Sequence, residues 1–143
     1  MPTGTSAFDR VVLDSSILLA ILFGEADFRK YNAVIRAAET LLIGAPTLAE
    51  TGLVVQCRQG PGGLVKLLSL LDRWKVSIVD FTGTHSMEAI DAHRRYGRGN
   101  HPAALNMGDC NSYAVAKVAG APLLYKGNDF ALTDLPPLTL PEA

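Results

Sequence analysis

Val11-Val12-Leu13-Asp14-Ser15-Ser16-Ile17-Leu18 runs from three apolar residues, through an acid and two hydroxyl residues, into a second apolar set. Two valines and a leucine in a row, bounded by polar residues, predict a short strand buried on both faces. Ser15 or Ser16 can cap the helix that follows, whose apolar face takes Ile17, Leu18, Ile21 and Leu22. A buried strand feeding a helix is the first half of a βαβ unit. Asp14 stands at the carboxyl end of that strand, where open parallel sheets bind their ligands.

Working outward, the same alternation repeats. Gly24-Glu25-Ala26-Asp27 breaks the first helix, and Phe28, Tyr31, Ile35 and Ala38 recur at helical spacing, predicting a second helix over 28–39. Thr40 to Gly44 reads as a second buried strand. Pro46 and Thr47 mark a helix start, with Thr47 and Glu50 at capping-box spacing, and that helix runs on towards Arg58. Gln59-Gly60-Pro61-Gly62-Gly63 reads as a loop, after which Leu64, Leu67, Leu68, Leu71 and Trp74 draw an amphipathic stripe. The two helices on either side of that loop form a helical hairpin standing off the sheet or covering an edge. Val76 to Phe81 is a third strand. Thr84 can cap a helix ending near Tyr96, with Met87, Ala89 and Ile90 facing inward. Gly97 to Pro102 is a polar loop, Gly120 and Pro122 end the next helix, and Leu123-Leu124-Tyr125 is a fourth strand. The lead-in over 1–9 reads as frayed, and the proline- and leucine-rich tail over 136–143 as surface chain. The whole of 1–143 is thus expected to be one α/β domain, a parallel sheet covered on both faces.

Composition agrees with that class and excludes others. With 143 residues and an apolar fraction of 48%, the chain is long enough for one proper core. A formal net charge of −1 rules out global attraction to a polyanion, so nucleic-acid contact must come from a local basic patch or from bound cations. Cys57 and Cys110 form no close-spaced metal motif and no disulfide framework. No signal peptide is apparent, and no apolar run approaches the roughly 20 residues of a membrane span, so the expected compartment is the cytoplasm.

Chemistry enters with Leu105-Asn106-Met107-Gly108-Asp109-Cys110-Asn111-Ser112-Tyr113-Ala114. Asn106 or Gly108 suits a helix cap, and Asp109 falls in the first turn, where free amides and the macrodipole favour a negative charge. Asp14 follows strand one, Glu50 lies in the first turn after strand two, and Asp129 follows strand four. Each acid alone has an ordinary reading as a cap or turn residue. All four, however, can reach one rim of the sheet. Carboxylates gathered there cannot all stay ionised without cations, and hard oxygen ligands select Mg²⁺ or Mn²⁺. Phosphodiester hydrolysis is the chemistry that wants such a site.

The same residues resemble a known family. Val-Leu-Asp14-Ser-Ser, Pro-Thr-Leu-Ala-Glu50, Tyr96-Gly-Arg-Gly-Asn-His-Pro-Ala, Leu-Asn106-Met-Gly-Asp109-Cys-Asn-Ser-Tyr-Ala and Leu-Leu-Tyr-Lys-Gly-Asn-Asp129-Phe are similar, in order and spacing, to PIN-domain ribonucleases. Their specific likeness is to the VapC toxins of VapBC toxin–antitoxin pairs, over about Val11 to Leu135. The resemblance implies a three-layer α/β/α domain on a mostly parallel sheet of four to five strands. It also implies a Mg²⁺-dependent endoribonuclease, with Mn²⁺ able to substitute, restrained by a VapB antitoxin that enters the active-site groove. Homodimers and toxin–antitoxin hetero-oligomers are the implied assemblies. By position, Asp14 and Asp109 match the metal ligands and Glu50 the third acid. Many PIN domains carry Thr or Ser and then Asp after the last strand, whereas here Tyr125-Lys126-Gly127-Asn128 stands there. The fourth site residue is then Asp129, displaced along the loop, or Asn128 as a neutral ligand.

Around these acids, Ser16, Asn106, Asn111 and Ser112 can hydrogen-bond a ligand or its water, though Ser16 and Asn106 also read as plain caps. His93, Arg94, Arg95, Arg98, His101 and Lys126 make a basic patch, with Arg95, Arg98 and Lys126 the candidates for RNA or antitoxin contact. The bland alternative is a solvated helix end. Cys110 reads as buried filler and Trp74 as core or subunit contact. The Gly60–Gly63 stretch lacks the lysine and hydroxyl of a phosphate loop. Two other functions stay in play: a structure-specific DNA nuclease on the same fold, which usually needs extra helices, and a non-catalytic binding module, which has no reason to keep a repulsive acid cluster.

Overall fold

β1 (Arg10–Leu13) lies at the centre because its apolar residues can be buried on both sides: Val11, Val12 and Leu13 are all fully inaccessible. The computed structural model describes residues 9–25 and 28–140. Apart from Asp9, the expected lead-in lies outside them, as does the end of the tail. β1 pairs in parallel with β2 (Thr40–Gly44) on one side and with β4 (Leu123–Leu124) on the other. β3 (Ser77–Val79) adds in parallel to β2, giving the order β3-β2-β1-β4. The chain therefore steps one way from β1 through β2 to β3 and returns to the opposite flank for β4. That reversal makes the gap between β1 and β4 a topological switch point, where the crevice of an open α/β sheet forms.

Strand alternation divides the core into two layers. Val11, Leu13, Leu41, Ile43 and Leu124 face α1 (Ser15–Leu22), α2 (Phe28–Ala37) and α3 (Ala45–Arg73), meeting Ile17, Leu18, Tyr31, Ile35, Leu67 and Leu71. Val12 and Leu123 face α4 (Gly83–Tyr96) and α5 (Met107–Ala119), meeting Ala92, Leu105, Tyr113, Val115 and Phe130. Among the described residues the result is the three-layer α/β/α arrangement on a four-stranded parallel sheet. Leu64, Leu67, Leu71 and Trp74 belong to the first layer while Leu68 of the same stripe is exposed, and Cys110 is buried in the second. Among the described residues no helix is long and apolar enough to cross a membrane.

Several local expectations are corrected. Asp14, not Ser15 or Ser16, caps α1, because its carboxylate accepts the Ser16 N–H at 3.1 Å. α2 stops at Ala37, short of Glu39. α3 begins at Ala45 with Gly44 as its cap, so Thr47 is already inside the helix and no Thr47–Glu50 capping box forms. Gln59–Gly63 is not a loop: α3 breaks at Gly60 alone, whose φ of 69° and ψ of −163° only glycine adopts cheaply. Pro61 then restarts the helix, a position where its missing N–H costs nothing. The halves fold back on each other, since a Cβ at Gly52 would lie 3.7 Å from Leu64 Cδ1. β3 and β4 are shorter than expected, and Tyr125 lies outside β4. Thr82 rather than Thr84 caps α4, where His85 Nδ1 accepts the Thr82 N–H at 3.0 Å.

Met87 and Ile90 point outward, 65% and 64% exposed, while His85 and Ala92 carry the buried face of α4. Ala89 packs on the second layer as expected, since apolar periodicity locates an apolar stripe without saying which of its residues are covered. The tail lacks regular structure, yet Leu135 is buried in the second layer and Leu138 and Leu140 pack on the first. Asp134 pins this segment: it accepts from Tyr113 Oη at 2.6 Å and Lys117 Nζ at 2.9 Å, with Arg95 at 3.3 Å. Despite partial burial, those donors and cations hold the Asp134 carboxyl down to about 2.

Candidate active site

Asp14 leaves β1 at the switch point and is buried, 4% exposed. A capping acid there is placed by two constraints at once, the ladder behind it and the helix it starts. Its backbone N–H donates to Leu124 O at 3.0 Å, tying it to β4. Ser16 Oγ donates to Asp14 Oδ2 at 2.6 Å, and Ser112 Oγ donates to Asp14 Oδ1 at 2.6 Å. Ser16 Oγ in turn accepts the Lys126 N–H at 3.0 Å, so the loop after β4 is fastened to the same carboxylate.

Asp109 is held by a reciprocal cap. Its N–H donates to Asn106 Oδ1 at 2.9 Å, and its Oδ2 accepts the Asn106 N–H at 3.1 Å. One carboxylate oxygen is thereby engaged and Oδ1 is left for other chemistry. Burial raises the Asp109 carboxyl above its usual range, the Asn106 hydrogen bond opposes this, and the charges of Asp14 and Asp129 raise it further, with Arg98 pulling the other way.

Glu50 projects from the first turns of α3. Burial of its carboxyl raises it above the usual range, then the charges of Asp14 and Asp109, against a hydrogen bond from Ser15. The residue as a whole is exposed, but its carboxyl end is pressed onto α5: a Cβ at Gly108 would lie 2.6 Å from Glu50 Oε2 and 2.8 Å from Oε1. Gly108 therefore acts by lacking a side chain. Gly108→Ala should leave the fold intact, since the helix gains propensity worth about 0.5–1 kcal/mol and the obstructing group is a flexible side-chain end. It should displace the Glu50 carboxylate and lower catalysis as far as Glu50→Gln does, with the double variant no worse than either. Undiminished turnover by Gly108→Ala, measured beside its melting curve, would show that this placement does not matter.

Asp14, Glu50, Asp109 and Asp129 thus form one electrostatic group on the rim. Among the described residues no three His, Cys, Asp or Glu side chains close on a common point as a ready-made cage. The donor set nevertheless fits Mg²⁺, which keeps several waters and uses one or two carboxylates. Mutual repulsion among acids with no lysine or arginine ion-paired to Asp14 or Asp109 in the described residues is what a cation relieves.

The remaining candidates divide. Asn106, Ser16 and Ser112 contact the acids as above. Asn128 precedes the 3₁₀ turn Asp129–Leu132 without a side-chain capping bond. Arg98 is exposed and acts electrostatically on Asp109. Lys126 pairs through Nζ with Glu25. Arg95 lies 4.8 Å over the Tyr96 ring, donates to Tyr96 Oη at 2.8 Å and pairs with Asp134 and Asp91, so it also fastens the tail segment. Cys110, with its thiol pushed up to about 11 by burial and by Asp109, is no nucleophile. Thr47 was missed as part of the site; its hydroxyl lies 3.2 Å from Ser112 Oγ, and both residues are buried.

A family model described as PIN domain matches residues 11–135. Ribonuclease VapC30 of Mycobacterium tuberculosis is 40% identical over 131 residues, covering 92% of this chain and all of that protein. Among solved structures, VapC20 of Mycobacterium tuberculosis, described as a Sarcin-Ricin loop cleaving toxin, superposes with a TM-score of 0.74 at 16% identity, over 92% of this chain and 99% of that one. VapBC2 of Rickettsia felis, solved bound to a DNA fragment from its promoter, gives 0.68 at 16% identity, over 85% and 90%. At those identities the two structures speak for the fold alone.

Proposed function

The chain belongs to the PIN-domain family and, within it, to the VapC ribonucleases, and on that premise we propose that it is a Mg²⁺-dependent endoribonuclease whose cation is held by Asp14 and Asp109. The observation that carries this reading is the meeting of Asp14, Glu50 and Asp109 at the switch point, where burial and then the charge of Asp14 raise both of the others. A bound Mg²⁺, or Mn²⁺ in its place, supplies acidification of a water and neutralisation of the charge that gathers on the phosphate and the departing oxygen.

The chain's own residues do the rest. Ser16 and Ser112 hold Asp14 in one orientation, and Asn106 does the same for Asp109. Glu50, with its raised carboxyl, takes a proton from the attacking water or orients it. Asp129 adds negative charge beside Asp109, and Arg98 and Lys126 are the basic groups on this rim for RNA phosphates or an acidic partner segment. A near-neutral chain then approaches RNA through local cations rather than net charge.

Membership among the VapC ribonucleases, together with the VapBC pairing named for the Rickettsia felis relative, makes a VapB-type antitoxin the proposed partner, and homodimerisation is part of the same proposal. Purified full chain incubated with total RNA should generate discrete cleavage ends that EDTA abolishes and Mg²⁺ or Mn²⁺ restores. Cutting that persists in EDTA would point to metal-free acid–base chemistry, and cutting of duplex DNA in preference to RNA would favour the DNA-nuclease alternative.

A further inference from the structure

Asp14 accepts two hydrogen bonds on Oδ2, from Ser16 N–H and Ser16 Oγ, and one on Oδ1, from Ser112 Oγ. A carboxylate offers about four lone-pair sites, two on each oxygen. The unspent one therefore lies on Oδ1, the oxygen that Ser112 holds. A carboxylate only accepts, so the single hydroxyl proton of Ser112 is committed to Asp14. In the 3.2 Å contact between Thr47 Oγ1 and Ser112 Oγ, Thr47 must then be the donor. The direction of the chain is fixed: Thr47 to Ser112 to Asp14.

The relay spans three elements. Thr47 stands in the first turn of α3, Ser112 in α5, and Asp14 at the end of β1. Thr47, Ser112 and Asp14 are 2%, 1% and 4% exposed, so water does not compete for these bonds. Thr51 Oγ1 donates to Thr47 O at 2.7 Å, steadying the turn that carries the donor. The arrangement mirrors the other oxygen of Asp14, where the Lys126 N–H stands behind Ser16 Oγ. Each hydroxyl gripping Asp14 is itself gripped from behind.

We propose that Thr47 is a positioning residue that acts through Ser112 to hold Asp14 Oδ1 ready to ligate the divalent cation. The inference rests on the metal-dependent reading above and deepens it by naming the oxygen and the residue behind it. Donation from Thr47 polarises the Ser112 hydroxyl and denies it other rotamers, which in a dry site strengthens its bond to Asp14.

The test is Mn²⁺ affinity of the full chain, read by electron paramagnetic resonance, with RNA cleavage read alongside. Ser112→Ala should weaken Mn²⁺ binding by about tenfold or more, the scale of lost partners behind a metal ligand. Thr47→Val, which keeps the shape and removes the donor, should weaken it by a smaller factor, and Thr47→Ser should restore it. KM for RNA should not move, and the loss in kcat should shrink as Mn²⁺ is raised. Because Thr47 acts through Ser112, Thr47→Val/Ser112→Ala should bind no more weakly than Ser112→Ala alone. Wild-type Mn²⁺ affinity in Thr47→Val, or losses that multiply in the double variant, would overturn the relay. Should Thr47→Val unfold, as circular dichroism would reveal, Thr47→Ala takes its place in the same cycle. Asp14→Asn separates the two levels: if it binds Mn²⁺ like wild type, the metal reading itself fails, whereas a loss there with none in Thr47→Val removes only the relay.

Discussion

Asp14→Asn and Asp109→Asn will each yield a folded protein that has lost RNA cleavage by about a thousandfold or more, equivalent to roughly 4 kcal/mol of transition-state stabilisation. The amide keeps the size and the capping geometry. An asparagine side chain still accepts the Ser16 N–H at the start of α1, and at position 109 it still accepts the Asn106 N–H, so neither helix loses its cap. What disappears is one unit of negative charge on a proposed oxygen ligand, and on that proposal most of the hold on a hard cation goes with it. The two variants should be alike in severity and, combined, little worse than either, because residues that share one ion act as a unit. Glu50→Gln should lose less, since Glu50 is assigned to the water. Cleavage by both single variants within tenfold of wild type, measured as initial rates on one labelled RNA, would remove the two-ligand assignment.

How much of this was legible beforehand depends on the range of the interaction concerned. Val11–Leu13 reads as a strand because burial on both faces leaves a local signature, and Asp109 reads as a first-turn acid because a capping box spans only neighbouring residues. Faces are another matter. The periodicity of Met87, Ala89 and Ile90 is real, but α4 packs on α5 through a face that takes in Ala89 and Ala92 and leaves Met87 and Ile90 outside, and only the packed structure says which residues of a stripe are covered. At Gly60 the composition correctly announced a break and overstated its length, since one residue of positive φ followed by proline reverses a helix that five residues were expected to interrupt. Long-range partners left no trace at all. The ion pair of Arg95 with Asp134 joins residues far apart along the chain, and the contact of Thr47 with Ser112 joins two helices, so neither has a local signature. The four acids can be grouped from the sequence because the carboxyl ends of parallel strands converge by topology, and the structure sets them within electrostatic reach of one another.

The second large effect concerns the protein without its cation. Glu50 and Asp109 are both raised by burial and by neighbouring charge, which means the folded state holds their ionised forms reluctantly. An acid raised on folding contributes stability that is full below its unfolded value, about 4, and is lost as pH climbs through the higher folded value. In EDTA, above those folded values, the cost of burying and crowding the charges is expressed, and Asp109→Asn, which removes one of them, should melt higher than wild type. The gap should close as pH falls towards 4, where protonation does for the wild type what the amide does for the variant. Adding Mg²⁺ reverses the ranking, because a ligand that binds only the folded state stabilises by RT ln(1 + [L]/Kd), about 2.7 kcal/mol at a hundred times Kd. Wild type should then rise with Mg²⁺ while Asp109→Asn barely moves. Scanning calorimetry of both proteins in EDTA and in excess Mg²⁺ measures the crossing; two curves that shift in parallel would mean that the acids are arranged for some purpose other than sharing an ion.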